Sequence, residues 1–258
     1  MLTAATVSAR ASAITAPAAA AQAKALAVAA IQQLQVGRHP LSQKTGATNE
    51  TSGNWAGYAD TGTSFSKVAA SWTEPSAACT SGAEQLAAFW VGIDGYAGAS
   101  VEQDGTLIEC FAGKAYQYTW WEMFPANAMQ VVGSTVAAGD AITAAVARSG
   151  TSYTLKVTDS THPANSFSKA EGCSSCAGTS AEWIAEAPSN GSSDYPLTDF
   201  RSWTVASAKV TRGAAAGSIS SSAADEVTMV SSAKKVKAQP GSLNGGGSGF
   251  TVTWERAS

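Results

Sequence analysis

From Asn54 onward the chain breaks into short β-prone runs separated by turn residues, and after about residue 50 it carries no long amphipathic helical pattern. This constrains the fold more than any single motif does. Runs rich in Val, Thr and aromatic residues, spaced by Gly, Ser and Asn, build sandwiches and barrels, whereas βαβ architectures need crossover helices. The runs that read as strands are Asn54–Ala59, Lys67–Thr73, Leu86–Ile93, Tyr116–Phe124, Ala141–Ala147, Ser152–Thr158, Thr179–Glu186, Ser202–Val210, Glu226–Val230 and Phe250–Glu255. The last alternates well enough to close a sheet, and Gly241 to Gly249 before it reads as a flexible loop. A chain of 258 residues buries a substantial core. The expectation is an all-β, antiparallel two-sheet sandwich.

Residues 1–50 have a different character. They are Ala-rich, and Ala18 to Gln35 has the composition of a helix. No continuous apolar run there is long enough to cross a bilayer, and no strong apolar segment of the signal-peptide kind is present. The segment 1–53 therefore reads as a leader or pro-segment with a linker from His39-Pro40 to Ser52, and 54–258 as the folded domain. Asn49-Glu-Thr51 and Asn190-Gly-Ser192 match glycosylation sequons, short patterns that arise often by chance.

The net charge of -3, with no basic run, argues against a nucleic-acid partner. Low charge density suits an acidic medium, in which ion pairs are lost on protonation. Four cysteines, Cys79, Cys110, Cys173 and Cys176, allow three pairings and suggest export and disulfides. Cys79–Cys110 with a tight Cys173–Cys176 loop is the favoured arrangement. A zinc site at Cys173-Ser-Ser-Cys176 lacks a second Cys pair or a His partner. No metal or cofactor is expected.

Carboxylates stand out against this sparse charge. In Gly178-Thr-Ser-Ala-Glu-Trp-Ile-Ala-Glu186, strand periodicity puts Ser180, Glu182, Ile184 and Glu186 on one face and Thr179, Ala181, Trp183 and Ala185 on the other. In Tyr116-Gln-Tyr-Thr-Trp-Trp-Glu-Met-Phe-Pro125, Tyr116, Tyr118, Trp120, Glu122 and Phe124 share a face. An aromatic floor with an embedded carboxylate describes a substrate cleft as well as it describes a core. Other chemistries are poorly served. His39 and His162 are the only histidines, and neither has a persuasive Ser or Cys partner. There is no Gly-x-Ser-x-Gly elbow, no His-Glu-x-x-His, no phosphate loop and no dinucleotide fingerprint. Carboxylate and carboxamide chemistry remains, the first to move protons and the second to stabilise an oxyanion.

Six segments in order resemble the glutamic peptidases, the eqolisin family. They are Asn54-Trp-Ala-Gly57, Ser71-Trp-Thr-Glu-Pro75, Trp90-Val-Gly-Ile-Asp-Gly95, Val101-Glu-Gln103, Trp120-Trp-Glu-Met-Phe-Pro125 and Ala181-Glu-Trp-Ile-Ala-Glu186. The resemblance implies a bent, lectin-like jelly-roll sandwich with a cleft on its concave face. It also implies an acid-acting endopeptidase that cleaves polypeptides with a Gln/Glu dyad; taken with the cysteines and the charge, the expectation is a secreted monomer with no nucleic-acid or membrane partner and no metal or cofactor. The resemblance assigns the catalytic dyad to Gln103 and Glu186 and cleft positions to Trp55, Trp90, Asp94 and Glu122. The sequence departs from the fungal pattern at Asp104, after the matched Gln, and at Tyr118, before the Trp-Trp-Glu run. Two carboxylates in an aromatic cleft also suit a carbohydrate-active sandwich, either a glycosidase using Glu122 and Glu186 or a lectin-like module.

Overall fold

The computed structural model describes residues 49–96, 99–221 and 223–258. The expected helix over 18–35 and His39 lie outside the described residues. The strands are β1 (Asn49–Ser52), β2 (Trp55–Thr61), β3 (Phe65–Thr73), β4 (Gln85–Asp94), β5 (Val101–Phe111), β6 (Lys114–Phe124), β7 (Asn127–Gly133), β8 (Ala141–Ser149), β9 (Ser152–Asp159), β10 (Phe167–Gly172), β11 (Ser180–Glu186), β12 (Ser202–Arg212), β13 (Ala215–Gly217), β14 (Asp225–Val230), β15 (Val236–Pro240) and β16 (Phe250–Trp254). Helix is confined to the short 3-10 turns Pro163–Asn165 and Ile219–Ser221 among the described residues.

The first layer runs β7-β6-β5-β4-β11-β2-β14-β15-β16 and passes through β12 into a second layer, β3-β8-β9-β10. Within this path every ladder is antiparallel. β12 serves both layers. Its Ser202–Val205 half pairs with β16, and Ala206 to Arg212 pair with β3. The register shifts between Ala206 and Lys209, and Ser207 sits at φ 53°. A bulge of this kind bends a strand and raises its local twist, and here it carries β12 from one layer into the other.

Between the layers lies an apolar core that includes Phe65, Trp72, Phe89, Val91, Trp183, Leu155, Val157 and Trp203. Trp203 stands at its centre, with ring centroids 5.5 Å from Trp72 and 5.4 Å from Phe89. Strands of the second layer alternate buried and exposed positions, as in β9, because one face meets the core and the other meets solvent. β4, β5 and β11 are buried on both faces.

All ten anticipated runs are strands. β5 was not anticipated, because Val-Glu-Gln-Asp-Gly-Thr-Leu-Ile-Glu-Cys-Phe has no apolar alternation. β1 was not anticipated either. It forms from the last residues of the expected linker, pairing in parallel with β14 from Asn49↔Glu226 to Ser52↔Met229, so the sheet includes residues before Asn54. Disulfides join Cys79 to Cys110 and Cys173 to Cys176, in the favoured pairing. The sulfurs of Cys173 and Cys176 are thus bonded to each other, not held as thiolates for a metal.

The inter-layer core also holds carboxyl groups. Glu74 accepts hydrogen bonds from Thr106 Oγ1 (2.7 Å) and Trp72 Nε1 (3.1 Å). Asp104 accepts one from the Lys156 amide. Burial pushes Glu74 up to about 8 and Glu102 up to about 9, and it holds Asp104 well above the usual carboxylate range. In strong acid these groups are protonated whether the chain is folded or unfolded. As pH rises past about 4, the unfolded chain ionises first while the folded chain keeps its protons. Each group then removes about 1.4 kcal/mol of stability per pH unit until its folded-state pKa is passed. Urea midpoints should therefore be highest near pH 4 and fall towards pH 8. Glu74→Gln, which cannot ionise, should flatten that decline, and a slope equal to the parent's would remove Glu74 from the account.

Candidate active site

The first layer carries a second apolar cluster on the face turned away from the second layer. It includes Trp55, Ala88, Trp90, Leu107, Tyr118, Trp120 and Ile184. Registers fix which side chains meet there. One transverse row reads Ala59–Glu182–Gly92–Gln103–Glu122 across β2, β11, β4, β5 and β6. The next reads Ile184–Trp90–Gly105–Trp120, and the third Trp55–Glu186–Ala88–Leu107–Tyr118. Alternation thus brings Gln103, Glu122, Glu182, Glu186, Trp55 and Trp90 to one face, as their spacing requires.

Two glycines let these strands carry so much bulk. A Cβ on Gly105 would lie 2.0 Å from the Phe89 carbonyl oxygen, so only glycine permits the approach of β4 and β5. A Cβ on Gly92 would lie 2.8 Å from Trp90 Cζ3 and 3.4 Å from Gln103 Cβ. The indole of Trp90 therefore lies over Gly92 and reaches the neighbourhood of Gln103. Its other side donates from Nε1 to Glu186 Oε2 at 3.0 Å. Asn54 Nδ2 donates to the other carboxylate oxygen, Oε1, at 3.2 Å. Trp55 meets Trp90 edge-on at 5.0 Å. On the far side of Trp90, Gln103 Nε2 donates to Glu122 Oε2 at 2.7 Å. Gln103 Oε1 is buried and has no partner among the described residues.

Glu182 and Glu186 share a strand and a face but differ in chemistry. Both Glu186 oxygens receive an N–H, the pattern that favours a carboxylate. Neither Glu182 oxygen has a hydrogen-bond partner among the described residues. Burial is the dominant influence on Glu182 and holds its pKa well above the usual range. The Ser180 hydroxyl and Tyr96 amide favour its charged form, but neither reaches hydrogen-bond geometry, and burial wins. Glu182 is a neutral acid under acidic conditions.

Asp94 stands apart from the other expected cleft residues. Its oxygens accept from the amides of Gly178 (2.8 Å) and Thr179 (2.6 Å) and from Thr179 Oγ1 (2.7 Å), which holds the start of β11 against the end of β4. Tyr118, at the fungal Asp position, donates to Glu109 Oε2 at 3.0 Å, and burial pushes Glu109 up to about 7. His162 lies on a turn of the second layer, its Nδ1 2.9 Å from both Asp140 oxygens. Asp159 beside it accepts from two backbone amides and from Asn165 Nδ2. Among the described residues, Asp140, Asp159 and His162 are grouped closely enough to suggest a metal; these contacts engage them, and they lie outside the cleft. Asn54 belongs to the site although its residue type alone gave no role. Its sequence signal is its place beside Trp55 in Asn54-Trp-Ala-Gly57.

Known proteins similar to this chain bear on its family and fold. The peptidase A4 family matches residues 53–254. The chain is 31% identical over 192 residues to aspergillopepsin-2 of Aspergillus niger, covering 65% of this chain and 68% of that one. The crystal structure of scytalido-glutamic peptidase with a peptide-based transition-state analogue superposes with a TM-score of 0.66 at 24% identity, covering 79% of this chain and 98% of that one. Aspergilloglutamic peptidase from Aspergillus niger superposes with a TM-score of 0.58 at 26% identity, covering 66% and 99%.

The placement of Trp90 over Gly92 is open to a direct check. Gly92→Ala should displace the ring, destabilise the fold by about 1–3 kcal/mol as overpacking does, and change the tryptophan emission spectrum. Unchanged emission and melting would show that the ring does not lie there.

Proposed function

The chain belongs to the peptidase A4 family and is a glutamic peptidase of β-sandwich fold, and from that premise we propose that Gln103 and Glu186 form its catalytic pair in acid. The observation that supports Glu186 over Glu182 is the pair of N–H donors on its carboxylate. A general base must be ionised at working pH, and glutamate's reference value of about 4.3 permits this in mild acid. Burial favours the neutral form of Glu182, which suits that role less.

In this reading a polypeptide lies over the Trp90 ring, within reach of Gln103 on one side and Glu186 on the other. Glu186 takes a proton from water as the water oxygen attacks the scissile carbonyl carbon. The Gln103 amide donates a hydrogen bond to the oxyanion that forms, and its Oε1 orients the attacking water. Glu186 returns the proton to the leaving amine as the C–N bond breaks. Glu122 holds the Gln103 amide in orientation, Trp90 and Trp55 form the floor, and Asp94 acts by holding β11 in place. The carbohydrate-active alternative is not favoured, since the family match runs over nearly the whole described chain and Glu122 is engaged by Gln103.

We place the protein outside the cell as a monomer acting on polypeptides, with no nucleic-acid partner. Its disulfides suit an oxidising compartment, and no helix of the described residues is long and apolar enough to cross a membrane. Gln103, Trp90 and Glu186 are wholly buried, so access must open before a polypeptide binds. We take the Ala-rich segment before Asn49 as a removable pro-segment.

Glu186→Gln keeps size and hydrogen-bonding capacity and should abolish turnover of a denatured protein in acid. Gln103→Ala should cost about 10²–10³ in rate, and the double variant should lose no more than Glu186→Gln alone. Glu182→Gln should cost far less. Wild-type digestion by Gln103→Ala would overturn the pair, and cleavage of polysaccharide without protein would restore the carbohydrate reading. Chelators, serine-directed reagents and pepstatin-type inhibitors should leave activity largely intact; strong inhibition by a chelator would point to a metal. Sequencing the N-terminus after acid incubation should show a shortened chain, and full activity in a chain still starting at Met1 would count against the pro-segment.

A further inference from the structure

We infer that Ser52 is a positioning residue for the general base, acting through the carboxamide of Asn54. The inference rests on the assignment of Glu186 as that base. Ser52 Oγ accepts hydrogen bonds from the backbone amides of Asn54 (3.3 Å) and Trp55 (3.1 Å). A hydroxyl has two acceptor sites and one proton. With both sites taken by N–H groups, its proton is left for Asn54 Oδ1, which lies at 3.0 Å. That bond fixes which end of the amide is which. Oδ1 is committed to Ser52, so Asn54 presents its NH₂ to Glu186 Oε1. An NH₂ can only donate, and a donor favours the ionised carboxylate over the acid. Ser52 therefore selects, one residue removed, the protonation state in which Glu186 can take a proton from water.

The fold holds this serine in place for the purpose. Ser52 is 3% exposed and Asn54 4%. Ser52 ends β1, whose parallel pairing puts it opposite Met229. Lys237 Nζ donates to the carbonyl of the intervening Gly53 at 3.2 Å. The buried carboxyls Glu50, Asp225, Glu182, Glu109 and Glu122 and Asp194 beside Gly53 and Lys237 oppose ionisation of Glu186 when they are themselves charged. Lys237 is a cation on the same side, so the donors on Glu186 weigh in setting its charge. A consequence is that the active chain keeps Ser52: removal of the pro-segment has to stop before it, even though it reads as part of a disposable linker.

The test uses the acid-activated full chain. Ser52→Ala frees the Asn54 amide to turn and offer Oδ1 to a protonated Glu186. It should lower kcat about tenfold, leave KM within about twofold, and move the acidic limb of the kcat profile up by about one pH unit. Ser52→Thr retains the hydroxyl and should restore both readouts, whereas Ser52→Val, of the same shape without it, should behave like alanine. That pair decides the matter even if Ser52→Ala fails to fold. Asn54→Ala should reproduce the loss, and the double variant should be no worse than Asn54→Ala alone. Wild-type kcat and pH profile in Ser52→Ala or Ser52→Val, additive losses in the double variant, or an active mature chain that begins after Ser52 would each overturn the relay. If those results came with an inactive Glu186→Gln, the relay alone would fall. Turnover by Glu186→Gln would overturn the base assignment and the relay with it.

Discussion

The register of five antiparallel strands, β2-β11-β4-β5-β6, is the constraint on which the rest depends. Side chains alternate with a period of two, so a slip of one residue between any pair would send its functional groups into the inter-layer core. Backbone shape alone does not prevent such a slip. Gly105 does so by letting β5 approach β4 at one level, and Asp94 does so by gripping the amides of Gly178 and Thr179 at the start of β11. With these fixed, Gln103, Trp90 and Glu186 fall on one surface from three strands. The geometry of the site is then a property of how the strands are pinned.

The same sheet explains why so few charges suffice. β5 is covered on both faces, yet it carries Glu102, Gln103, Asp104 and Glu109. In neutral water such a strand would be an expensive thing to bury. In acid, carboxyls such as Glu74, Glu102 and Asp104 become neutral hydrogen-bonding groups, and burying them costs far less. Glu186 is treated differently because two N–H donors meet it. Partners, not burial, separate these two carboxyls, since Glu182 and Glu186 are equally hidden.

Much of this is legible in the sequence. Alternation assigned the faces of β11 and β6 correctly, because both strands mix aromatics and carboxylates in strict order. The absence of helical periodicity settled the class. β5 was not legible as a strand, because its polar residues are buried on both faces and leave no contrast for a pattern to show. Gln103 could be singled out only through resemblance to a family. The part played by Asn54 was hidden for another reason. Its amide meets a carboxylate 132 residues away, and its orientation is set by a serine in a segment that composition groups with a linker. Local sequence can suggest that Ser52 touches Asn54, but only the pairing of β1 with β14 and of β2 with β11 sets that contact beside Glu186.

The passage of β12 through both layers bears on how such a protein survives its own company. A peptidase needs its substrate extended and free of other pairing, and it works surrounded by copies of itself. Here the layers are one hydrogen-bonded fabric folded over at Ser207, so they cannot part without breaking the ladders along β12. Segments outside the ladders are the places where a neighbour could take hold. Two of the longer ones, 74–84 and 173–179, are tied by Cys79–Cys110 and Cys173–Cys176. The disulfides thus close two of the openings in the weave, and the longer segment 187–201, which carries none, is the place where a neighbour would first take hold.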